Sequence, residues 1–210
     1  MSKPNESKNR ESSMKKYIFI ALTLLLNTTS PATIMQNKNI LPLVTIDQPN
    51  HSVLRNTAKP ITFPLNAEAI KTIAELKATF ASLKSPYGKP AGLAAPQIGI
   101  PLRMFIVQIP PEAKQKRHEV YDTLPPTVFM NPTYHPLLQQ GKYSDIEGCY
   151  SVPNKTGEVS RYFTIDFTAY TESGKKIHRI AKGFLARLLQ HETDHLNGIV
   201  FSDYLSKPTA

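Results

Sequence analysis

Apolar residues recur at Ile70, Ile73, Leu76, Phe80 and Leu83, three or four positions apart, and predict an amphipathic helix over residues 67–83 that ends at Pro86 and Gly88. A second helix is predicted where Phe184, Leu185, Leu188 and Leu189 form a stripe in a run that starts at Phe184 and stops at Gly198, a glycine suited to a helix end. Between them the period changes to two. Thr164 to Tyr170 places Ile165, Phe167 and Ala169 on one face, and a Ser173-Gly174 turn leads into a return strand through Ile177 and Ile180. Arg103 to Ile109 and Thr127 to Met130 also read as strands, while the proline-rich stretches at 110–111, 125–126 and 132–136 read as loops. Antiparallel strands with few helices, no internal repeat and no second domain predict an α+β fold.

The second helix carries the chemistry. It contains Gln190-His191-Glu192-Thr193-Asp194-His195, an HExxH pattern. Residues i and i+4 of a helix share a face, so both imidazoles can reach one metal ion, with Glu192 beside its open side. Two surface histidines would give the same spacing, but the apolar stripe buries this helix, and burying the pair and its acids without a metal is costly. A third ligand is needed. Where some zinc proteases place a histidine six residues after the second, this chain has Phe201, and the only acid after His195 is Asp203, so the ligand comes from upstream. Cys149, the sole cysteine, lies in Glu147-Gly148-Cys149-Tyr150-Ser151. A lone cysteine is more often a small buried hydrophobe, but beside a histidine pair a thiolate becomes the leading candidate. Two imidazoles and one thiolate leave a fourth, tetrahedral position for water. A third segment, Gly92-Leu93-Ala94-Ala95-Pro96-Gln97, combines small residues, which permit close backbone approach, with a side-chain amide after a proline.

In this order the three segments resemble the peptide deformylase family, whose motifs run GxGLAAPQ, EGCxS and QHExDHxxG. Agreement extends through Asn131-Pro132, Val152-Pro153, residues 157–161, 183–187 and 201–206, and covers roughly residues 40 to 206. One departure is Pro90, where the family has its first glycine, followed by Ala91. The resemblance implies an α+β fold of antiparallel strands packed around a central HExxH-bearing helix. It implies a metal-dependent hydrolase that removes the N-terminal formyl group from N-formylmethionyl peptides of newly made proteins. Cys149, His191 and His195 would hold one divalent metal ion, Fe2+ first, with Zn2+, Ni2+ or Co2+ able to use the same ligands. Glu192 would be the general base, Gln97 and the Tyr150 backbone N–H would donate to the oxyanion, and Gly92 would complete the catalytic set. Ala91, Phe184 and Leu188 would line the methionine pocket, although core packing explains the latter two nearly as well. Asp194 and Arg161 would pair behind the ligands. The competing readings are a metallopeptidase of another HExxH class and an inactive formyl-peptide-binding relative.

Composition sharpens this only modestly. The chain has 210 residues, 40% hydrophobic and 20% charged, a soluble-globule composition, and its single cysteine excludes an internal disulfide. Its formal charge is +9, of which +3 comes from five Lys or Arg against two Glu in the segment up to Ala32. Lys114, Lys116 and Arg117 are the densest remaining basic cluster. No nucleic-acid motif accompanies it, so sequence-specific nucleic-acid binding is not expected, while a basic surface could assist encounters with a ribosome surface. A monomer is expected. Residues 1–39 read as an extension, 40–206 as the catalytic domain and 207–210 as a tail. Within the extension, Met14-Lys15-Lys16 precedes the apolar run Tyr17 to Leu26, then Asn27 to Ala32, the order of a secretory signal. That pattern predicts export or membrane association, whereas the family's substrates are made in the cytoplasm.

Overall fold

The computed structural model describes residues 39–85 and 88–205. The signal-like segment, Pro86 and the tail lie outside them. Five strands, β1 (Gly92–Ala94), β2 (Met104–Ile109), β3 (Leu124–Pro136), β6 (Thr164–Tyr170) and β7 (Lys176–Lys182), make an antiparallel sheet in the order β1-β2-β3-β6-β7. A separate antiparallel hairpin joins β4 (Lys142–Cys149) to β5 (Val152–Tyr162). The helices are α1 (Ala67–Ser82), α2 (Ala113–Lys116), α3 (Gly183–Leu196) and α4 (Ser202–Leu205). No helix among the described residues is long and apolar enough to cross a membrane.

Alternation along β2 shows how the layers are built. Met104 and Ile106 join Ile73, Leu76 and Phe80 of α1 in one apolar cluster, whereas Phe105, Val107 and Ile109 join Leu185, Leu188 and Leu189 of α3 in another. With both faces covered, all six residues of β2 are buried, and apart from Gln108 the strand reads as an apolar run. Phe129 meets Phe105 and Phe167 edge-on, tying β2, β3 and β6 together beneath α3. A third cluster, Val152, Val159, Val200 and Phe201 with Cys149 packed against it, seats the hairpin.

Both expected helices form. In α1 the Asn66 side chain accepts from the Ala69 N–H at 2.8 Å, capping the start, and the chain turns extended at Leu83 before reaching the proline. Ile70, expected on the apolar face, is instead 57% exposed, because α1 buries its stripe through Ile73, Leu76 and Phe80. Helix α3 ends as the sequence implies. Gly198 has φ +76°, and a Cβ there would come within 2.5 Å of the Arg55 carbonyl oxygen.

Two parts of the strand reading need correction. The stretches 125–126 and 132–136 are not loops but parts of the thirteen-residue β3. Pro125, Pro126 and Pro132 are tolerated because the ladder is irregular there, the β2 pairing shifting between Val107 and Ile109 and the β6 pairing between Met130 and Thr133, and Pro136 is the last residue of the strand. The β4–β5 hairpin was not expected at all, because β4 buries only Glu147 and offers no alternating apolar face. The return strand forms as expected as β7: Ile177 packs on the core, and Ile180, an odd number of positions on, faces outward at 45% exposure.

Candidate metal and catalytic site

Each potential ligand is positioned by a different local device. Cys149 ends β4 at a tight turn, paired with Val152, and Ser151 at the turn is held by the Ile46 N–H donating to its carbonyl at 2.9 Å. His191 and His195 stand one turn apart on α3, with ring centroids 5.0 Å apart. The ligand atoms of Cys149, His191 and His195 all lie within 4.8 Å of one another, and Cys149 Sγ is 3.3 Å from His195 Nε2. Three such atoms could hold one metal ion. Gln97 Nε2 and the Ser151 N–H also donate to the sulfur, at 3.3 and 3.4 Å. Neither downstream position supplies a ligand, since a phenylalanine has no donor atom and the one acid is engaged elsewhere. Phe201 stacks on the His191 ring, and Asp203 bonds Arg55 and the Val200 N–H.

Behind His191 lies a buried set of charges. His191 Nδ1 donates to Glu147 Oε2 at 2.9 Å, which leaves Nε2 to face the other ligands and fixes the ring. Arg161 forks onto both oxygens of Glu147 at 2.8 and 2.9 Å, and Arg187 donates to the same carboxylate at 2.6 Å. Arg161 also donates to Asp194 at 2.6 Å, as expected, and Tyr204 donates to Asp194 at 3.0 Å. Two arginines thus face two carboxylates, so the cluster is balanced and its members hydrogen-bond in a medium where an unpaired charge would be expensive. Burial pushes Glu147 up, but the Arg161 fork and the His191 contact outweigh it and hold this carboxyl well below the usual range.

Opposite this cluster the surroundings of α3 are sparse. Glu192 is buried at 3% exposure with Oε2 unpartnered among the described residues, and His195 Nδ1 is likewise unpartnered. Burial pushes Glu192 up to about 7, with only partial opposition from His191. A carboxyl that titrates near neutrality suits proton transfer in either direction. An orphaned buried carboxyl oxygen is costly, and Glu192 follows His191 directly in a site whose sulfur and two imidazole nitrogens are a donor set suited to a borderline divalent cation. Gly92 explains itself against this wall. A Cβ at Gly92 would fall 2.1 Å from Glu192 Oε1, so only glycine lets β1 lie against the carboxylate.

The remaining expected residues are brought close. Gln97 is buried, accepts from the Ala94 N–H through Oε1 at 2.8 Å, and points Nε2 at Cys149 Sγ and Ser151 Oγ. Tyr150 sits between Cys149 and Ser151, its hydroxyl donating to the Lys84 carbonyl at 3.2 Å. Phe184 and Leu188 belong to one apolar cluster against which Ala91 packs, and Arg117 lies over the Phe184 ring at 4.7 Å. Sequence reasoning assigned no role to Glu147, Arg187 or Tyr204. Arg187 carried a signal, a cation inside an apolar stripe one turn before His191, whereas Tyr204 carried none.

The polypeptide deformylase family profile matches residues 40–210. Peptide deformylase 2 of Rickettsia conorii is 41% identical over 168 residues, covering 79% of this chain and 81% of that protein. Among solved structures, peptide deformylase from Ehrlichia chaffeensis in complex with actinonin superposes with TM-score 0.65 at 30% identity, covering 80% of this chain and 90% of that one. The class I type b peptide deformylase from Acinetobacter baumannii with Met-Ala-Ser bound gives TM-score 0.64 at 27% identity over 79% of this chain and 98% of that one. With antiparallel sheets of the same fold and its motifs gathered at one site, the chain belongs to the polypeptide deformylase family.

Proposed function

We propose that Cys149, His191 and His195 hold one divalent metal ion and that Glu192, Gln97 and the Tyr150 backbone N–H carry out the chemistry beside it. The activity is hydrolytic removal of the N-terminal formyl group from nascent N-formylmethionyl peptides. The observation that carries the assignment of residues is the approach of the three ligand atoms within 4.8 Å, next to a buried carboxylate with an unpartnered oxygen. In this reading α3 is the central element of the catalytic unit, and residues 40–206 are that unit. Ferrous iron is the proposed ion, with zinc, nickel or cobalt able to take the same donors.

A cation on these ligands supplies a Lewis acid and brings the pKa of a water from about 15.7 to roughly 7. Glu192 takes a proton from the attacking water as its oxygen bonds the formyl carbon. When the C–N bond breaks, Glu192 delivers that proton to the departing amine, and formate and the free methionyl amine result. Gln97 Nε2, already 3.3 Å from Cys149 Sγ, and the Tyr150 N–H donate to the oxygen that gains charge, with Gln97 exchanging its bond to Ser151 for this one. Gly92 keeps the Glu192 carboxylate in place by adding no bulk. Ala91, Phe184 and Leu188 offer the apolar surface for the methionine side chain. The Met-Ala-Ser and actinonin complexes of the relatives support a peptide-binding cleft here. Formate release from formyl-Met-Ala-Ser by metal-loaded protein tests the reading. Hydrolysis of an internal peptide bond in an unformylated peptide, without formate release, would favour a metallopeptidase instead.

A further inference from the structure

His191 and His195 are held differently. Glu147 fixes the His191 ring, whereas His195 Nδ1 has no partner among the described residues, so the His195 ring takes its place from the backbone that carries it. That backbone is a weak point, because His195 is the next-to-last residue of α3 and the closing carbonyls of a helix have no partner within it. Arg103, just ahead of β2, meets the need. One nitrogen of its guanidinium donates to the Leu196 carbonyl at 3.2 Å and to the Asn197 side-chain oxygen at 2.9 Å, and the other donates to the Pro132 carbonyl at 3.2 Å. The Leu196 carbonyl also accepts from the Ala58 N–H at 2.9 Å.

The anchor is itself fixed. The Arg103 N–H donates to the Lys59 carbonyl and the Arg103 carbonyl accepts from the Asn131 N–H, both at 2.8 Å. Asn131, at φ +47°, brackets Ile61 with its side-chain amide, accepting from the Ile61 N–H at 2.8 Å and donating to the Ile61 carbonyl at 2.7 Å. These bonds place the Pro132 carbonyl that takes the second arm of the guanidinium. A cation at a helix C-terminus also opposes the negative end of the helix dipole. Resting on the ligand set given above, we propose that Arg103 is a positioning residue of the metal site: it locks the last turn of α3 to the sheet and keeps His195 Nε2 facing Cys149 Sγ, 3.3 Å away. Without it the last turn is free to fray, and the ligand lost first is His195 rather than His191, whose ring Glu147 still holds.

The test loads the full chain with Co2+ and follows its release to an excess of chelator through the visible absorption of the bound ion. Arg103→Met is expected to release cobalt about 10–100-fold faster than wild type, the range for loss of a group that orients a metal ligand. Arg103→Lys keeps the charge and one bond but cannot span both carbonyls, so its rate is expected between those two, and it carries the test if Arg103→Met does not fold. Leu76→Ala separates positioning from stability. It opens a cavity in the α1 cluster, on the other face of the sheet, and is expected to unfold at lower denaturant while holding cobalt as wild type does. Release from every folded Arg103 variant at the wild-type rate, or an equal acceleration in Leu76→Ala, would overturn the proposal and leave the ligand set intact. Wild type that takes up no cobalt would overturn both.

Discussion

The two histidines of α3 share a helix face and little else. His191 is held from behind by Glu147, which is itself held by Arg161 and Arg187, and Arg161 reaches on to Asp194 and Tyr204. His195 and the neighbouring Glu192 have bare sides, with Nδ1 and Oε2 buried and unpartnered among the described residues. A densely paired polar network fixes geometry even with Arg187 Nε left without a partner among the described residues, whereas an unpaired buried carboxyl oxygen keeps the capacity to bind something. The contrast separates scaffold from proposed reaction: the paired groups behind His191 set where the potential ligand atoms stand, and Glu192 is left with a carboxyl oxygen free for chemistry.

The largest expected effect breaks the reactive side. Glu192→Gln should retain metal and fold while deformylation falls about 10²–10⁴-fold, because an amide cannot relay the proton. Turnover close to wild type would assign the base elsewhere. On the scaffold side the expected effect is on stability. Glu147→Ala leaves two buried arginines facing one carboxylate and should cost about 3–5 kcal/mol in denaturant unfolding. The same variant sharpens the comparison through pH. The folded-state pKa of Glu147 lies below its ordinary 4.5, so its contribution is complete above about pH 4.5 and is lost as pH falls through the lower folded value. Wild type should therefore lose stability on acidification in that range, and Glu147→Ala should show a flatter acid limb. Equal acid limbs would mean that the cluster does not couple to folding. The smallest effect is at the cluster's outer end, where Tyr204→Phe removes one bond to Asp194 and should cost about 0.5–1.5 kcal/mol with turnover nearly unchanged.

Much of the reactive side was legible in the sequence because its residues sit in short runs with fixed spacing. His191, Glu192 and His195 lie within one helical repeat, Gln97 ends a compact run of small residues, and Cys149 is the sole cysteine, flanked by Gly148 and followed by Tyr150-Ser151. The scaffold side was less legible because it is assembled across the chain. Arg161 comes from β5, Arg187 from α3, Glu147 from β4 and Tyr204 from α4, and no local pattern announces that four such groups will meet. The fold followed the same rule. Both helices and β2 declare themselves through apolar periodicity, whereas the exposed β4 has none, and β3 hides behind prolines that the shifts in its pairing tolerate.

Central to this account is a single divalent metal ion on Cys149, His191 and His195, and its most direct test is the metal content of protein prepared without oxygen. Wild type is predicted to carry close to one equivalent per chain and Cys149→Ala to lose it while remaining folded. Full retention of metal by Cys149→Ala would contradict the ligand set.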